Sequence, residues 1–292
     1  MKLTTRFEEQ LNSITFLLPT IIVFSLFLFG PILYSIYMSF QKWSLLTPPI
    51  FIGFGNFIKL FGDKRFWESL KITFEYSLIY VPATTILALF SAVLLNFPLR
   101  GRVVFRALFF FPVITSTVVT AVIWKWVLHS DYGILNYFIG YLGIKPIQWL
   151  GNPTTALISI IIVNIWRDFG FYTVILLGGL QTIPREIYDS AIVEGASLRQ
   201  IFHRITVPLL SPTISVVSIM ATIFSLQVFD TIYIMTSGGP VNSTTTIGWL
   251  IYSQAFKYRE MGYASTIGLI LFIITFIFSL IELQVLKVDF KY

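Results

Sequence analysis

Six long apolar segments dominate this chain of 292 residues, and they constrain its fold more than any other feature. Each segment is at least as long as the roughly 20 residues that an α-helix needs to cross the hydrocarbon core of a bilayer. The runs are continuous rather than alternating, and a continuous apolar run in lipid satisfies its backbone groups as a helix. They lie at residues 14–39, 72–96, 103–128, 154–177, 207–235 and 264–286. The sequence therefore predicts an all-α, polytopic membrane protein with six transmembrane helices.

Composition supports this class and argues against several others. Hydrophobic residues make up 56% of the chain and charged residues only 12%, against about 25% charged residues in a soluble domain. The formal charge of +6 fits the cytoplasmic excess of Lys and Arg in membrane proteins better than a nucleic-acid-binding surface. With no cysteine and two histidines, the chain offers no disulfide, no thiolate ligand and little for a histidine metal cluster. We therefore expect no catalytic residue, no metal site and no bound cofactor.

The distribution of Lys and Arg predicts how the chain is oriented in the membrane. If both termini are cytoplasmic, ten of the 20 basic residues fall in the short cytoplasmic segments. The connection at 98–106, with three arginines and no acidic residue, gives the clearest signal. We predict a cytoplasmic N-terminal segment at 1–13, a six-helix membrane domain at 14–286 and a cytoplasmic tail at 287–292.

A polar insert at 183–206 separates the fourth and fifth apolar segments, on the cytoplasmic side of this topology. Pro184 suits the first turn of a helix, where its missing N–H would be unpaired anyway. Gly195 is a plausible end of that helix, and Ser197 can cap a second short helix. Pro208 can open the fifth span. Amphipathicity alone leaves two interpretations, a helix lying on the membrane surface or a docking element for a soluble partner.

The insert resembles the "EAA" signature of the permease subunits of binding-protein-dependent ABC importers. That signature runs approximately EAA-x3-G-x9-I-x-LP. The residues of this chain that match it in spacing are Asp189, Ser190, Ala191, Gly195, Ile205, Val207 and Pro208. The chain departs from the signature by Asp for Glu, Ser for the first Ala and Val for Leu, and the first departure bears on the acidic contact.

Two further stretches resemble the carbohydrate-importing branch of this family, the type related to the maltose and glycerol-3-phosphate permeases. The segment at 229–263 contains Thr-Ser-Gly-Gly-Pro in its outer loop and a later Gln-Ala-Phe, and the segment at 53–76 follows the first span. The resemblance implies a type I ABC importer permease in the bacterial or archaeal inner membrane. It implies a non-enzymatic transport subunit for a sugar or related polyol.

The resemblance also implies the partners of the chain. They are a second homologous permease subunit, two ABC ATPase subunits, an extracytoplasmic solute-binding protein and the lipid bilayer, with no nucleic acid. ATP and Mg would be bound by the ATPase subunits, because this chain has no Gly-Lys dipeptide and thus no G-x4-G-K-[ST] phosphate-binding pattern. The insert would be the coupling loop that docks on the ATPases. Its implied docking residues are Glu186, Asp189, Ser190, Ala191, Glu194, Gly195 and Ala196.

Polar residues inside the spans are candidates for a solute path, because ionisable groups in membrane helices are costly and usually functional. Arg167 and Asp168 lie near the middle of the fourth segment, and neighbouring helix positions point about 100° apart. We therefore do not expect these two residues to be simply each other's partner. The candidate path residues are Asn164, Arg167, Asp168, Phe171, Ser225 and Gln227. A polar contact between helices or an ion pair with a partner subunit would explain the same pattern.

Two other functions fit parts of the sequence. An ion-coupled secondary transporter of a small polar solute would explain the charges of Arg167, Asp168 and Asp230, but such carriers usually show internal repeats and interrupted spans. The sequence shows neither, although Thr115, Ser116 and Thr117 follow Pro112 and could line a kinked helix. A membrane scaffold or assembly factor without a solute path is the second alternative. For such a protein, apolar replacement of Asn164, Arg167 and Gln227 would not change uptake.

Overall fold

The structure is a computed structural model that describes residues 14–97 and 100–285. Within these ranges the regular structure is helical apart from one short antiparallel ladder of two strands. The elements in chain order are α1 (Ile14–Ser39), β1 (Gln41–Lys42), β2 (Ile50–Phe51), α2 (Gly55–Gly62), α3 (Lys64–Asn96), α4 (Arg102–Ile114), α5 (Thr117–Val127), α6 (Ile134–Gly140), α7 (Pro153–Thr182), α8 (Arg185–Val193), α9 (Leu198–Ile201), α10 (Val207–Leu226), α11 (Asp230–Met235), α12 (Ile247–Tyr252) and α13 (Met261–Val285). The described residues contain three π-helical turns, of which Ser25–Phe29 lies within α1 and Phe202–Thr206 and Ser253–Lys257 follow α9 and α12.

The prediction of an all-α polytopic membrane protein is confirmed. Five helical stretches in the described residues are long and apolar enough to cross a membrane, and a bent helix pair adds a sixth crossing if it counts as one span. Helix α3 begins at Lys64, well before the predicted start at residue 72. The predicted terminal segments at 1–13 and 287–292 lie outside the described residues, as does residue 286 at the predicted end of the last span.

The third predicted span is a broken helix. Helices α4 and α5 are bent by 98° at Thr115 and Ser116, both of which have extended backbone angles. Pro112 has no N–H to donate, and the hydroxyl of Thr115 donates to the Pro112 carbonyl oxygen at 2.6 Å, so α4 ends there. The expectation that no span is interrupted is wrong. Span continuity therefore gives no argument against a secondary transporter.

The described residues form two compact units, 14–63 with 251–270, and 64–97 with 100–250 and 271–285. In the first unit Asn56 is 6% exposed, and its amide nitrogen donates to the carbonyl oxygens of Ser39 at 2.9 Å and Gln41 at 2.8 Å. The hydroxyl of Thr266 donates to the same Ser39 carbonyl at 3.0 Å. These bonds join the end of α1, the start of β1, α2 and α13 within this unit.

The core of the second unit lies between α3 and α7. Helix α3 buries one face at intervals of three and four residues, which is the spacing of a single helix face. The residues of that face are Ser69, Thr73, Tyr76, Tyr80, Thr84, Ala88, Ala92 and Leu95. Ala88 and Ala92 are fully buried, and such small residues let membrane helices approach closely. This close packing positions the polar residues of α7 described below.

Gly170 sets the contact between α7 and α4. A Cβ atom built at Gly170 would lie 1.8 Å from the carbonyl oxygen of Phe109, so a larger residue must separate the two helices. We expect Gly170→Ala to destabilise the chain by about 3 kcal/mol, the upper end for overpacking, because a backbone atom is in the way. Gly178→Ala is the matched control, since no atom lies within 4 Å of its Cβ position on the same helix. Thermal unfolding in detergent measures both, and equal unfolding temperatures for the two variants would contradict this packing.

Candidate functional site

The first insert helix, α8, ends in a backbone motif that requires glycine. Gly195 has a φ of +77°, a left-handed conformation that glycine adopts with little strain. The amide of Gly195 donates to Ile192 at 3.0 Å and the amide of Ala196 donates to Ala191 at 2.9 Å, which together satisfy the last carbonyls of α8. The predicted helix end at Gly195 is confirmed. Pro184 stands at the N-cap of α8, one residue before the predicted first turn.

The second insert helix, α9, begins with a capping box. The amide of Gln200 donates to the Ser197 hydroxyl at 3.3 Å, and the Gln200 side-chain oxygen accepts from the Ser197 amide at 2.8 Å. This confirms Ser197 as the cap. After α9 the chain makes the π-helical turn Phe202–Thr206 and continues directly into α10, with Pro208 in its first turn. The second half of the insert and the fifth span are thus one continuous helical segment.

The predicted docking residues divide into an exposed and a buried group. Those with exposed side chains or backbone are Glu186, Asp189, Ser190, Glu194 and Gly195. Ala196 is half-buried, whereas Ala191 is only 7% exposed and faces the interior of this chain. The structure therefore gives Ala191 a packing position rather than an outward one.

Three apolar side chains on the insert were not among the predicted docking residues. Ile192, Val193 and Leu198 are 60%, 88% and 76% exposed, although they belong to a polar insert. Clustered exposed apolar groups on a polar surface mark interaction sites. Ile192 and Val193 directly precede Glu194, and Leu198 follows Gly195 by three residues, and this position was the sequence signal that could have identified them.

A cavity of about 400 Å³ lies in the second unit. Its walls come from α3, α4, α5, α7, α10, α11 and the turn between α10 and α11. The lining residues are Tyr76, Tyr80, Val113, Thr117, Asn164, Arg167, Asp168, Phe171, Tyr172, Phe224, Gln227, Val228, Phe229, Asp230 and Thr231. Five of the six predicted path residues are in this set. Ser225 is not, since it is 1% exposed and its hydroxyl donates to the Thr222 carbonyl oxygen at 2.9 Å.

Arg167 and Asp168 form a direct ion pair at the cavity wall. The Arg167 Nε donates to Asp168 Oδ1 at 2.6 Å and its Nη2 donates to Oδ2 at 3.0 Å. The prediction that these residues do not pair is wrong, because the long arginine side chain folds back along the helix surface to its neighbour. Arg167 Nη1 also donates to the Thr117 hydroxyl at 2.9 Å, and the Tyr80 hydroxyl donates to Asp168 Oδ2 at 2.7 Å. The bend between α4 and α5 brings Thr117 into this network.

Asn164 joins three helices beside this pair. Its Nδ2 donates to the hydroxyl oxygens of Tyr76 at 2.8 Å and Thr231 at 2.9 Å. The Tyr76 and Tyr80 rings stack with centroids 5.4 Å apart. Sequence reasoning missed both tyrosines, although their spacing of four residues places them on one face of α3. A rigid arrangement of aromatic rings and hydrogen-bonding groups thus faces the cavity.

Comparisons with known proteins agree with this architecture. A family model described as "Binding-protein-dependent transport system inner membrane component" matches residues 84–286. The trehalose/maltose transport system permease protein MalF of Thermococcus litoralis is 34% identical over 281 residues, which cover 96% of this chain and 95% of that protein. The multiple sugar-binding transport system permease protein MsmF of Streptococcus mutans is 37% identical over 276 residues, 94% of each protein.

A solved structure has the same fold. It is a bacterial ABC transporter involved in the import of the acidic polysaccharide alginate, one chain of which superposes with a TM-score of 0.84 at 25% identity over 100% of both chains. These findings support a transport subunit rather than an enzyme, and they give no support to the ion-coupled secondary transporter. With a family match over more than half of its length and relatives that align with nearly all of it, this chain belongs to the inner-membrane components of binding-protein-dependent transport systems.

Proposed function

We propose that this chain forms half of the membrane path of an importer for a sugar or a related polyol. The observation that carries the proposal is the cavity of about 400 Å³, in which aromatic rings stand beside hydrogen-bonding groups. Sugars present apolar ring faces and hydroxyls, and such sites combine apolar walls with a few placed polar groups. The names of the relatives from Thermococcus litoralis and Streptococcus mutans, which refer to trehalose, maltose and multiple sugars, support this solute class.

The proposed assembly contains a second permease subunit, two ATPase subunits that bind ATP and Mg, and an extracytoplasmic solute-binding protein. The family description supports dependence on a binding protein. The proposed organisation of this chain is a cytoplasmic segment at 1–13, a permease domain at 14–286 with its coupling insert at 183–206, and a cytoplasmic tail at 287–292. The ATPase subunits would contact the insert through its exposed acidic residues, Gly195 and the apolar side chains of Ile192, Val193 and Leu198.

The proposed mechanism uses the continuity of the fifth span with the insert. Helix α9, the π-helical turn Phe202–Thr206 and α10 follow one another without a loop. Helix α10 has 20 residues and is about 30 Å long. The turn after its far end, including Gln227, lines the cavity. A rigid-body displacement of the insert by the closing ATPase subunits would therefore move one wall of the cavity, as alternating access requires.

Gln227→Leu tests the proposed solute path. The change removes an exposed amide from the cavity at similar volume, and the loss of one or two hydrogen bonds to the solute predicts roughly tenfold slower uptake at limiting solute. Uptake of radiolabelled maltose and trehalose into proteoliposomes that contain all subunits and ATP measures the effect. Ser225→Ala is the control, because that hydroxyl is bonded to backbone outside the cavity lining, and it should leave uptake unchanged.

Two results would contradict the proposal. Unchanged uptake in Gln227→Leu, together with unchanged uptake after apolar replacement of Asn164 and Arg167, would indicate a scaffold without a solute path. Uptake by this chain alone, driven by a proton or sodium gradient without ATPase subunits, would indicate a secondary transporter.

A further inference from the structure

The charges that line the cavity do not cancel. Arg167, Asp168 and Asp230 all line it, and both carboxylate oxygens of Asp168 accept hydrogen bonds from Arg167. The guanidinium of Arg167 is therefore compensated by its neighbour. Asp230 is exposed in the first turn of α11 and has no hydrogen bond or ion pair among the described residues. The lining thus carries one uncompensated negative charge.

The uncommitted hydrogen-bonding atoms of the cavity include two strong acceptors. Asn164 is 2% exposed, and its Oδ1 has no hydrogen-bond partner among the described residues, while its Nδ2 is already bonded to Tyr76 and Thr231. The carboxylate of Asp230 is an acceptor without a donor in the part of the chain that the structure describes. The Asn164 oxygen is itself buried, so a solute group does not reach it in this conformation, whereas the Asp230 side chain is exposed and lines the cavity. A ligand that donates hydrogen bonds therefore fits Asp230.

Resting on the proposed function, we propose that this cavity admits uncharged, hydroxyl-rich solutes and disfavours acidic ones, and that Asp230 sets this preference. A sugar hydroxyl donates to Asp230 and accepts from other groups. An ionised carboxylate, sulfate or phosphate group only accepts, so it offers no donor to Asp230 and is repelled by its charge. The alginate importer has the same fold and an acidic solute, so the fold itself does not set the charge preference.

An aspartate in the first turn of a helix also stabilises that helix through the macrodipole. A loss of stability on replacing Asp230 would therefore not identify its role. The test has to measure the electrostatic potential inside the cavity, which a purely structural carboxylate pointing away from it would not change.

The absence of cysteine from this chain makes such a measurement direct. Gln227→Cys places one thiol in the cavity lining, and Val241→Cys places a reference thiol at a position that is 87% exposed and outside the lining. Each variant, in membranes that contain the complete importer, is treated with the cationic trimethylammonioethyl and the anionic sulfonatoethyl methanethiosulfonate reagents. Mass spectrometry of this chain gives the two rates without interference from cysteines of other subunits.

For each variant we take the rate of thiol modification by the cationic reagent divided by the rate with the anionic reagent. The normalised ratio is this value for Gln227→Cys divided by the value for Val241→Cys. We expect a normalised ratio of roughly 7 or more at low ionic strength. This is the effect of one unit charge about 7 Å away in water, acting with opposite sign on the two reagents. Adding Asp230→Asn to Gln227→Cys should bring the normalised ratio to about 1. Glu75→Gln is the matched control, because Glu75 is an exposed carboxylate of the same unit that pairs with Lys71 and does not line this cavity.

Each failure has a different meaning. A normalised ratio near or below 1 with Asp230 intact, or a high ratio that survives Asp230→Asn, would overturn the charge preference while leaving the solute path standing. If the thiol of Gln227→Cys reacts with neither reagent while that of Val241→Cys reacts, the cavity is closed to solutes, and both the path and the inference that rests on it are wrong. The normalised ratio of Gln227→Cys is measured with Asp230 intact. It therefore tests the charge preference even if the Asp230→Asn variant does not accumulate.

Discussion

Gly195→Glu is expected to abolish ATP-driven uptake and capture of the ATPase subunits while the chain remains folded in the membrane. A Cβ at Gly195 meets no atom within 4 Å, so the new side chain would project from the insert into the proposed docking space. The left-handed φ of +77° adds strain of about 1 kcal/mol, which is small compared with the stability of a folded domain. Uptake into proteoliposomes and co-purification of the ATPase with a tagged chain are the measurements, and we expect both to fall at least tenfold, about 1.4 kcal/mol or more.

Gly143→Glu separates docking from backbone strain. Gly143 has a φ of +73° and likewise no atom within 4 Å of its Cβ position, but it follows α6 on the opposite, extracytoplasmic side of the predicted topology. This variant introduces the same side chain with the same strain and should keep both activities. Normal uptake and ATPase capture by Gly195→Glu would contradict the docking proposal, and equal loss in Gly143→Glu would attribute the defect to strain.

Removal of the Asp168 carboxylate alone is expected to destabilise the chain more than removal of both members of its ion pair. The two side chains are only 21% and 20% exposed, so Asp168→Ala leaves the guanidinium of Arg167 partly buried without its partner. Breaking such a pair costs about 3 kcal/mol, the lower end for buried pairs because some solvent reaches this one. For a chain of this size we expect the unfolding temperature to fall by roughly 6–12 °C. In the double variant Arg167→Met, Asp168→Ala, the loss should be about half as large, because no unpaired charge remains.

A double-mutant cycle followed by thermal unfolding in detergent tests this coupling. The exposed pair Lys71 and Glu75, with side chains 77% and 50% exposed, is the control and should show a coupling below about 0.5 kcal/mol. Additive losses for Arg167 and Asp168 would show that the pair is not coupled. Uptake should stay low in the double variant even where stability is partly regained, because Thr117 and Tyr80 lose the groups that they bind at the cavity wall.

The helices and the ends of the insert could be predicted from the sequence because their causes are local. Lipid forces each apolar run to satisfy its own backbone, so hydropathy alone locates the spans. The helix end at Gly195 and the cap at Ser197 depend on residues within five positions along the chain. The break at Thr115 and Ser116 was visible only as a possible kink, because a proline followed by hydroxyl residues permits both a bent span and a sharp interruption.

The cavity residues were only partly predictable. Asn164, Arg167 and Asp168 stood out because charged and amide groups are rare in spans, whereas Tyr76 and Tyr80 are common residues of a membrane helix. Ser225 has the same polarity as true lining residues, and only its position in the packed core shows that it bonds to backbone instead. Asp230 was not among the predicted path residues, and the structure places it on the cavity wall.

By itself the amino-acid sequence determined the membrane class, the apolar helical segments and the caps of the insert helices, and it predicts an orientation in the membrane. The tertiary structure decided which side chains share a cavity, which of them neutralise each other and which one keeps an uncompensated charge. The physical reason is the separation along the chain of the residues that interact. Helix formation and capping depend on neighbours a few residues away, whereas the cavity wall is held by hydrogen bonds between residues 50 to 88 positions apart, whose meeting depends on how whole helices pack.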